Sequence, residues 1–144
     1  MATKVLADVN VCLDLLLDRH PHIQYSGRIF EMAEKSKIRL FISGLSFDTL
    51  FYIMRPAKGG KLAIEKLKLM HSYTHVAEID SVVVKNALQS GWRDLEDALQ
   101  FYSAIQSGCS HLVTRNPADF TDDSSQIQVL TPMDFCNNIK LYSC

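Results

Sequence analysis

The sequence predicts an α/β fold, a three-layer sandwich around a mostly parallel central sheet. Two patterns predict it. Short apolar, β-branched runs alternate with longer stretches of helical periodicity along the whole chain, and each run ends on a polar residue or a turn. The length of 144 residues suits one domain, taken as 1–144, with a single buried core.

Residues 3–9 read as a buried strand that breaks at Asp8-Val9-Asn10, where a short polar side chain can cap a helix. The helix that follows carries Val11, Leu13, Leu15, Leu16 and Leu17 and stops at His20-Pro21. Residues 24–37 form a second helix, with Ile29, Phe30, Met32 and Ala33 at helical spacing, before the strand 38–42. Ser43-Gly44 breaks that strand, and the apolar helix 45–54 is expected to end near Arg55-Pro56, since the residue before proline disfavours helix. Gly59-Gly60 reads as a loop, 62–70 as an amphipathic helix with a lysine-rich face, 74–79 as a short strand and 81–89 as a helix. Gly91 turns the chain into the helix 94–106, closed by Gly108. Strands at 111–114 and 127–130 follow, and Thr131-Pro132 opens a last helix through Ile139, with proline at the first helical position.

Composition bounds the function. A hydrophobic share of 47% with 22% charged residues is that of a folded soluble protein. The net charge of −1 offers no basic surplus, which argues against a protein that coats nucleic acid. The first residues lack the pattern of a signal peptide, and no run approaches the roughly 20 apolar residues of a membrane helix, so a cytoplasmic protein without membrane contact is expected. Cys12, Cys109, Cys136 and Cys144 are scattered, without zinc-site spacing, and read as reduced thiols. The five histidines show no ligand spacing linked to the acids, and neither a nucleophile elbow nor a phosphate loop is present.

The acidic residues carry the chemistry. In a parallel α/β sheet, ligands gather at the carboxyl ends of the strands. Asp8 ends the first strand, and Asn116 and Asp119 follow the fourth. Asp94 and Asp97, three apart at the start of a helix, share one face, whereas helical geometry turns Glu96 about 160° from Asp94. Taken singly, Asp8 and Asp94 also read as helix caps and Asp119 as a turn residue. Together, carboxylates at one sheet edge call for a hard cation such as Mg²⁺ or Mn²⁺, and such a site suits phosphodiester hydrolysis.

These segments resemble the PIN-domain family, in particular its bacterial branch related to VapC toxins. The likeness runs through Leu6-Ala7-Asp8-Val9-Asn10-Val11 with Asp14, Phe41-Ile42-Ser43, Asp94-Leu95-Glu96-Asp97-Ala98-Leu99-Gln100, Leu112-Val113-Thr114-Arg115-Asn116 with Asp119-Phe120, and the tail from Ile127 to Pro132. It implies a metal-dependent endoribonuclease, with Asp8 and Asp97 as the firmest metal ligands and Asp94 beside them. Asn116 and Asp119 would complete the site, while Asn10, Ser43 and Thr114 would orient the carboxylates. The same likeness implies an RNA substrate and an antitoxin protein; aromatic residues at helical spacing (Phe47, Phe51, Tyr52, Phe101, Tyr102) read as core or dimer surface, and the exposed share of them would favour a homodimer. The chain departs from the family in two places. Many relatives have a glutamate where Thr49 stands, with Asp48 offset by about 100°, and Asn116 stands where many have aspartate. The alternative reading is therefore a PIN-like module that binds RNA or protein without turnover. A receiver domain fits poorly, because Asp8-Val9 supplies one acid where that fold wants a pair.

Overall fold

The computed structural model describes residues 2–120 and 126–138, which form an α/β sandwich on a fully parallel sheet. The elements are β1 (Thr3–Ala7), α1 (Val9–Leu16), α2 (Ile23–Glu34), β2 (Ile38–Ser43), α3 (Gly44–Lys58), α4 (Gly60–Ser72), β3 (His75–Ala77), α5 (Ser81–Gln89), α6 (Leu95–Gln106), β4 (His111–Val113), a 3₁₀ turn (Pro117–Phe120), β5 (Gln128–Leu130) and α7 (Pro132–Asn137). The Ile139 end expected for the last helix, and Cys144, lie outside the described residues. The other three cysteines are buried free thiols.

The strand order is β3-β2-β1-β4-β5, so the chain walks outward from β1 on one side and then crosses to β4 on the other. The order reverses between β1 and β4, and the crevice at their carboxyl ends is where such a sheet places ligands. Register fixes what stands there: Ala7 pairs with Val113, and Asp8 N donates to Val113 O at 3.0 Å. Asp8 and Thr114 are thereby neighbours.

Alternation along the strands splits the core between two faces. Val5, Ala7, Leu40, Ile42 and Val113 point to a cluster with α1, α2, α3, α4 and Phe135 of α7. Leu6, Phe41, Ala77 and Leu112 point the other way, onto Phe101 and Ala104 of α6. Trp92 stacks at 4.9 Å on Phe101 on that second face. None of the described helices is long and apolar enough to cross a membrane.

Two expected boundaries change. Helix α3 does not end at Arg55-Pro56 but runs to Lys58, with Pro56 inside it. Pro56 sits in the exposed last turn, where the carbonyl of Tyr52, left without its helical donor, can turn to water. The helix ends instead at Gly59, whose φ of +81° is readily adopted only without a side chain. Gly60 already belongs to α4, so the expected two-glycine loop is a single residue.

Candidate active site

Asp8 is the centre of the crevice. It precedes α1 with extended backbone (φ −64°, ψ 155°), and its carbonyl accepts from Val11 N and Cys12 N, while its side chain makes no cap bond. The carboxylate is instead held from two other elements. Thr114 Oγ1, just beyond β4, donates to Oδ2 at 2.8 Å, and Gln100 Nε2 of α6 donates to Oδ1 at 3.0 Å. Only 5% of Asp8 is exposed. Burial raises its pKa, against which the Thr114 and Gln100 bonds and the Arg115 charge work. Thr114 Oγ1 also accepts from Asn116 N at 3.1 Å, which shapes the turn leaving β4.

Helix α6 supplies further carboxylates. Asp94 is its N-cap: Oδ1 accepts from Asp97 N at 3.1 Å, as an aspartate before a helix should. Asp97 follows in the first turn. Burial, with Asp94, Asp8, Asp119 and Glu96 around it, pushes its pKa up to about 7. Asp8, Asp94, Asp97 and Asp119 therefore share one electrostatic neighbourhood.

Glu96 joins them, against the expectation that it points away. That expectation treated Asp94 as helical, whereas Asp94 is extended (φ −111°, ψ 117°) and the helical wheel begins only after it. Glu96 Oε2 lies 3.5 Å from Thr49 Oγ1 of α3, and burial, then Asp94 and Asp8, raise its pKa. A carboxylate thus stands against the threonine that occupies the usual glutamate position.

Other expected residues are placed differently. Ser43 is buried, and its Oγ accepts from Leu45 N at 3.2 Å, so it caps α3; its described bond goes to the backbone and not to a carboxylate. Asp48 is turned to the cleft between α3 and α4, beside Phe47, Lys68 and His71, and is not brought to the acidic cluster. The helical offset from Thr49 accounts for this. Asn10 is half-buried in the first turn of α1, and Asn116 and Asp119 are exposed on the loop after β4.

Sequence reasoning also passed over two residues behind the crevice. Gln100 was noticed only as part of a motif, yet it is fully buried with Nε2 on Asp8 and with Oε1 lacking a hydrogen-bond partner. Arg115 likewise belongs to a quoted motif, and its Nε lies 3.3 Å from Oδ2 of the wholly buried Asp14.

A strand-end aspartate clamped by the next strand's threonine, facing acids at the start of a late helix, is the arrangement the resemblance implies. The family model for the PIN domain matches residues 4–118. The chain belongs to the PIN-domain family. Among curated proteins this PIN domain is similar to Ribonuclease VapC1 of Aquifex aeolicus, 25% identical over 138 residues that cover 92% of this chain and 93% of that one. Its fold is that of solved toxin structures. The DNA-bound VapBC complex of Salmonella typhimurium aligns with a TM-score of 0.69 at 17% identity, over 90% of this chain and 98% of that one. The toxin-antitoxin complex from Klebsiella pneumoniae gives 0.66 at 19%, over 89% and 97%. VapC20 of Mycobacterium tuberculosis, a toxin that cleaves the sarcin-ricin loop, gives 0.61 at 12%, over 75% and 86%.

Whether a divalent cation suits this PIN-domain site can be asked of the residues themselves. Among the described residues no three acidic, histidine or cysteine side chains close into a ready-made cage. Mg²⁺ does not need one, since it keeps several waters and commonly takes one or two carboxylates. Burial and then the neighbouring acids push the Asp97 pKa up to about 7, and the Gln100 Oε1 acceptor is buried without a donor. A hard cation with oxygen ligands would relieve the repulsion, so the donor set fits.

Proposed function

We propose that this chain is a cytoplasmic endoribonuclease of the VapC type, one domain over residues 1–144, that hydrolyses RNA phosphodiester bonds with Mg²⁺ or Mn²⁺. Burial, with Asp94, Asp8, Asp119 and Glu96 gathered around it, lifts the Asp97 pKa to about 7, and that gathering of acids is the observation that carries the reading. Asp8, Asp97 and Asp94 would hold the cation, Asp119 would accept from its water shell, and Asn116 would donate to the scissile phosphate or to that shell. Glu96 would replace the glutamate that Thr49 lacks. When bound, such a cation activates a water and stabilises the leaving oxygen. The chain's own part is positional: Thr114 and Gln100 fix Asp8, the α6 cap fixes Asp94 and the start of the helix, and Asp97 would hold the cation as a carboxylate.

The similarity to a curated ribonuclease and to toxin-antitoxin complexes supports an RNA substrate and an antitoxin protein as partner. A homodimer is part of the same reading, favoured by the exposed Tyr52 and Leu69 on α3 and α4, 77% and 68% accessible.

A binding module without turnover is the competing reading, favoured by Thr49 and Asn116. Incubation of mixed-sequence RNA with Mg²⁺ or Mn²⁺, with EDTA and Asp97→Asn controls, decides between them. Metal-dependent cutting that the variant lacks is the expected result. Tight RNA binding with no cutting at high protein concentration would establish the binding module instead.

A further inference from the structure

The acidic crevice has a basic neighbour that the metal reading does not use. Arg115 follows Thr114 directly, so it is one residue from the hydroxyl that clamps Asp8, and its charge is felt at Asp8. Its guanidinium is held by Asp14 of α1, which is 0% exposed, and Ser26 Oγ of α2 donates to the same Asp14 Oδ2 at 3.2 Å. The grip is Coulombic: Nε lies 3.3 Å from Oδ2 without hydrogen-bond alignment, and Asp14 Oδ1 is buried with no partner. Among the described residues the two Nη groups make no hydrogen bond or ion pair beyond this. Burying an aspartate costs several kcal/mol unless it is paired, and here its one charged partner is a cation whose donors remain largely unspent.

Arg115 also forms one wall of a cleft of about 260 Å³ whose other walls are Pro21, His22, Tyr25, Pro132 and Met133. The lining is largely apolar. Its size lies just below the range of about 300–1,000 Å³ typical of drug-sized ligands, which suits one planar group rather than an extended molecule. Unpaired bases are commonly recognised by stacking on aromatic rings and guanidinium planes beside a phosphate-binding cation.

We propose that this cleft is a nucleotide subsite: Arg115, anchored by Asp14 and Ser26, binds an RNA phosphate next to the scissile one, and the base of that nucleotide lies between Tyr25, His22 and Met133. The proposal rests on the ribonuclease reading for its substrate, and it assigns binding and base preference, not hydrolysis, to these residues. It also answers an electrostatic difficulty. A polyanion approaching five carboxylates needs positive charge besides the metal, and Arg115 is the cation whose field reaches Asp8.

The test is fluorescence anisotropy with a labelled single-stranded RNA 12-mer of mixed sequence, with Ca²⁺ replacing the active metals, for the wild type and four variants. Arg115→Ala should bind about 10- to 100-fold more weakly, as loss of a charge-assisted contact implies. Its slope of log Kd against log salt should fall by about 0.7. Tyr25→Ala should lose about 5- to 100-fold, as loss of one stacked base implies, with its salt slope unchanged. Asp14→Asn/Arg115→Gln removes the buried ion pair without stranding a charge and keeps the test valid should Arg115→Ala not fold. Met133→Glu, an exposed substitution at the rim, should weaken binding without affecting folding. Mn²⁺ affinity, measured by calorimetry, should be unchanged in Tyr25→Ala and Met133→Glu. Wild-type affinity in Tyr25→Ala, Met133→Glu and the double variant overturns the subsite. Cleavage by the wild type is scored separately: absence of cleavage sinks the ribonuclease reading, while loss of RNA affinity in these variants still establishes the subsite.

Discussion

Asp97→Asn should make the metal-free protein more stable above neutral pH, although it removes a residue from the site. The folded protein raises Asp97 from its ordinary 3.8 to about 7, through burial and the charges of Asp94, Asp8, Asp119 and Glu96. The folded state therefore holds this proton more tightly than the unfolded chain does. Between about pH 4 and 7 the unfolded chain has lost the proton while the folded one keeps it, so stability falls as pH rises through that window and levels off above it. The whole shift would be worth about 4 kcal/mol. The carboxylate is partly open to water, and screening reduces the effect to about 1–2 kcal/mol, or roughly 3–6 °C in Tm for a chain of this size. Asparagine does not titrate and leaves the Asp97 N–H on its Asp94 cap, so the variant keeps the helix start and loses the penalty.

The assay is thermal unfolding by circular dichroism in EDTA, from pH 5 to 8.5, on both proteins. Comparison with the variant matters because His75 and His111, whose pKa values burial lowers, add stability as pH rises through their range and oppose the Asp97 slope. The expected result is a gap of about 3–6 °C in favour of Asp97→Asn at pH 8 that narrows to roughly a third of that at pH 5. Saturating Mn²⁺ should close or reverse that gap, since ligand binding to the folded state stabilises it. A gap that is absent at pH 8, or that has the opposite sign, would refute the claim that the acids strain one another across the crevice.

Three further outcomes follow from the same geometry. Thr114→Val removes the 2.8 Å bond to buried Asp8 and should cost about 1–3 kcal/mol in chemical unfolding, with RNA cleavage lost in larger proportion than stability. Asp94→Ser keeps a cap on α6 and should unfold within a few tenths of a kcal/mol of wild type while binding Mn²⁺ more weakly; Asp94→Ala should lose about 0.5–2 kcal/mol as well. Glu96→Thr should weaken Mn²⁺ binding in calorimetry, and adding Thr49→Glu, which moves the carboxylate back to α3, should restore it; a double variant no better than the single one would dismiss Glu96 as the replacement for the missing glutamate.

How much of this the sequence reveals depends on whether a feature is local. The strand runs and their polar ends are local, and Asp8 and Thr114 stand where the rule of carboxyl ends puts them. Helix limits depend on one residue's backbone, and there the reading slips. Proline is weak as a terminator in an exposed last turn, so α3 passes Pro56 and stops at Gly59. The orientation of Glu96 escapes the sequence for a related reason: a helical wheel drawn from Asp94 includes a residue that is not in the helix. Roles that arise only from contacts between distant elements leave no spacing to read. Gln100 to Asp8 spans 92 residues, and Arg115 meets Asp14 from the opposite end of the chain. A buried aspartate in an otherwise apolar helix, Asp14 among Val11, Cys12, Leu13 and Leu16, was the signal available for the latter.

The two layers of helices divide the labour around Asp8. Helix α6 packs on one face of the sheet and brings Asp94, Glu96 and Asp97, while α1, α2 and α7 pack on the other and bring Asp14, Ser26 and the cleft beside Arg115. Asp8 and Thr114, at the reversal of strand order, are where the two meet. One side is thus built to want a cation and the other to offer one. An RNA strand crossing the crevice would present its scissile phosphate to the bound metal and its neighbour to Arg115, so attraction from the second side offsets repulsion from the first. On that argument the substrate's direction is set by the asymmetry of the fold, and reversing the charge at Arg115 should impair RNA binding even with every metal ligand intact.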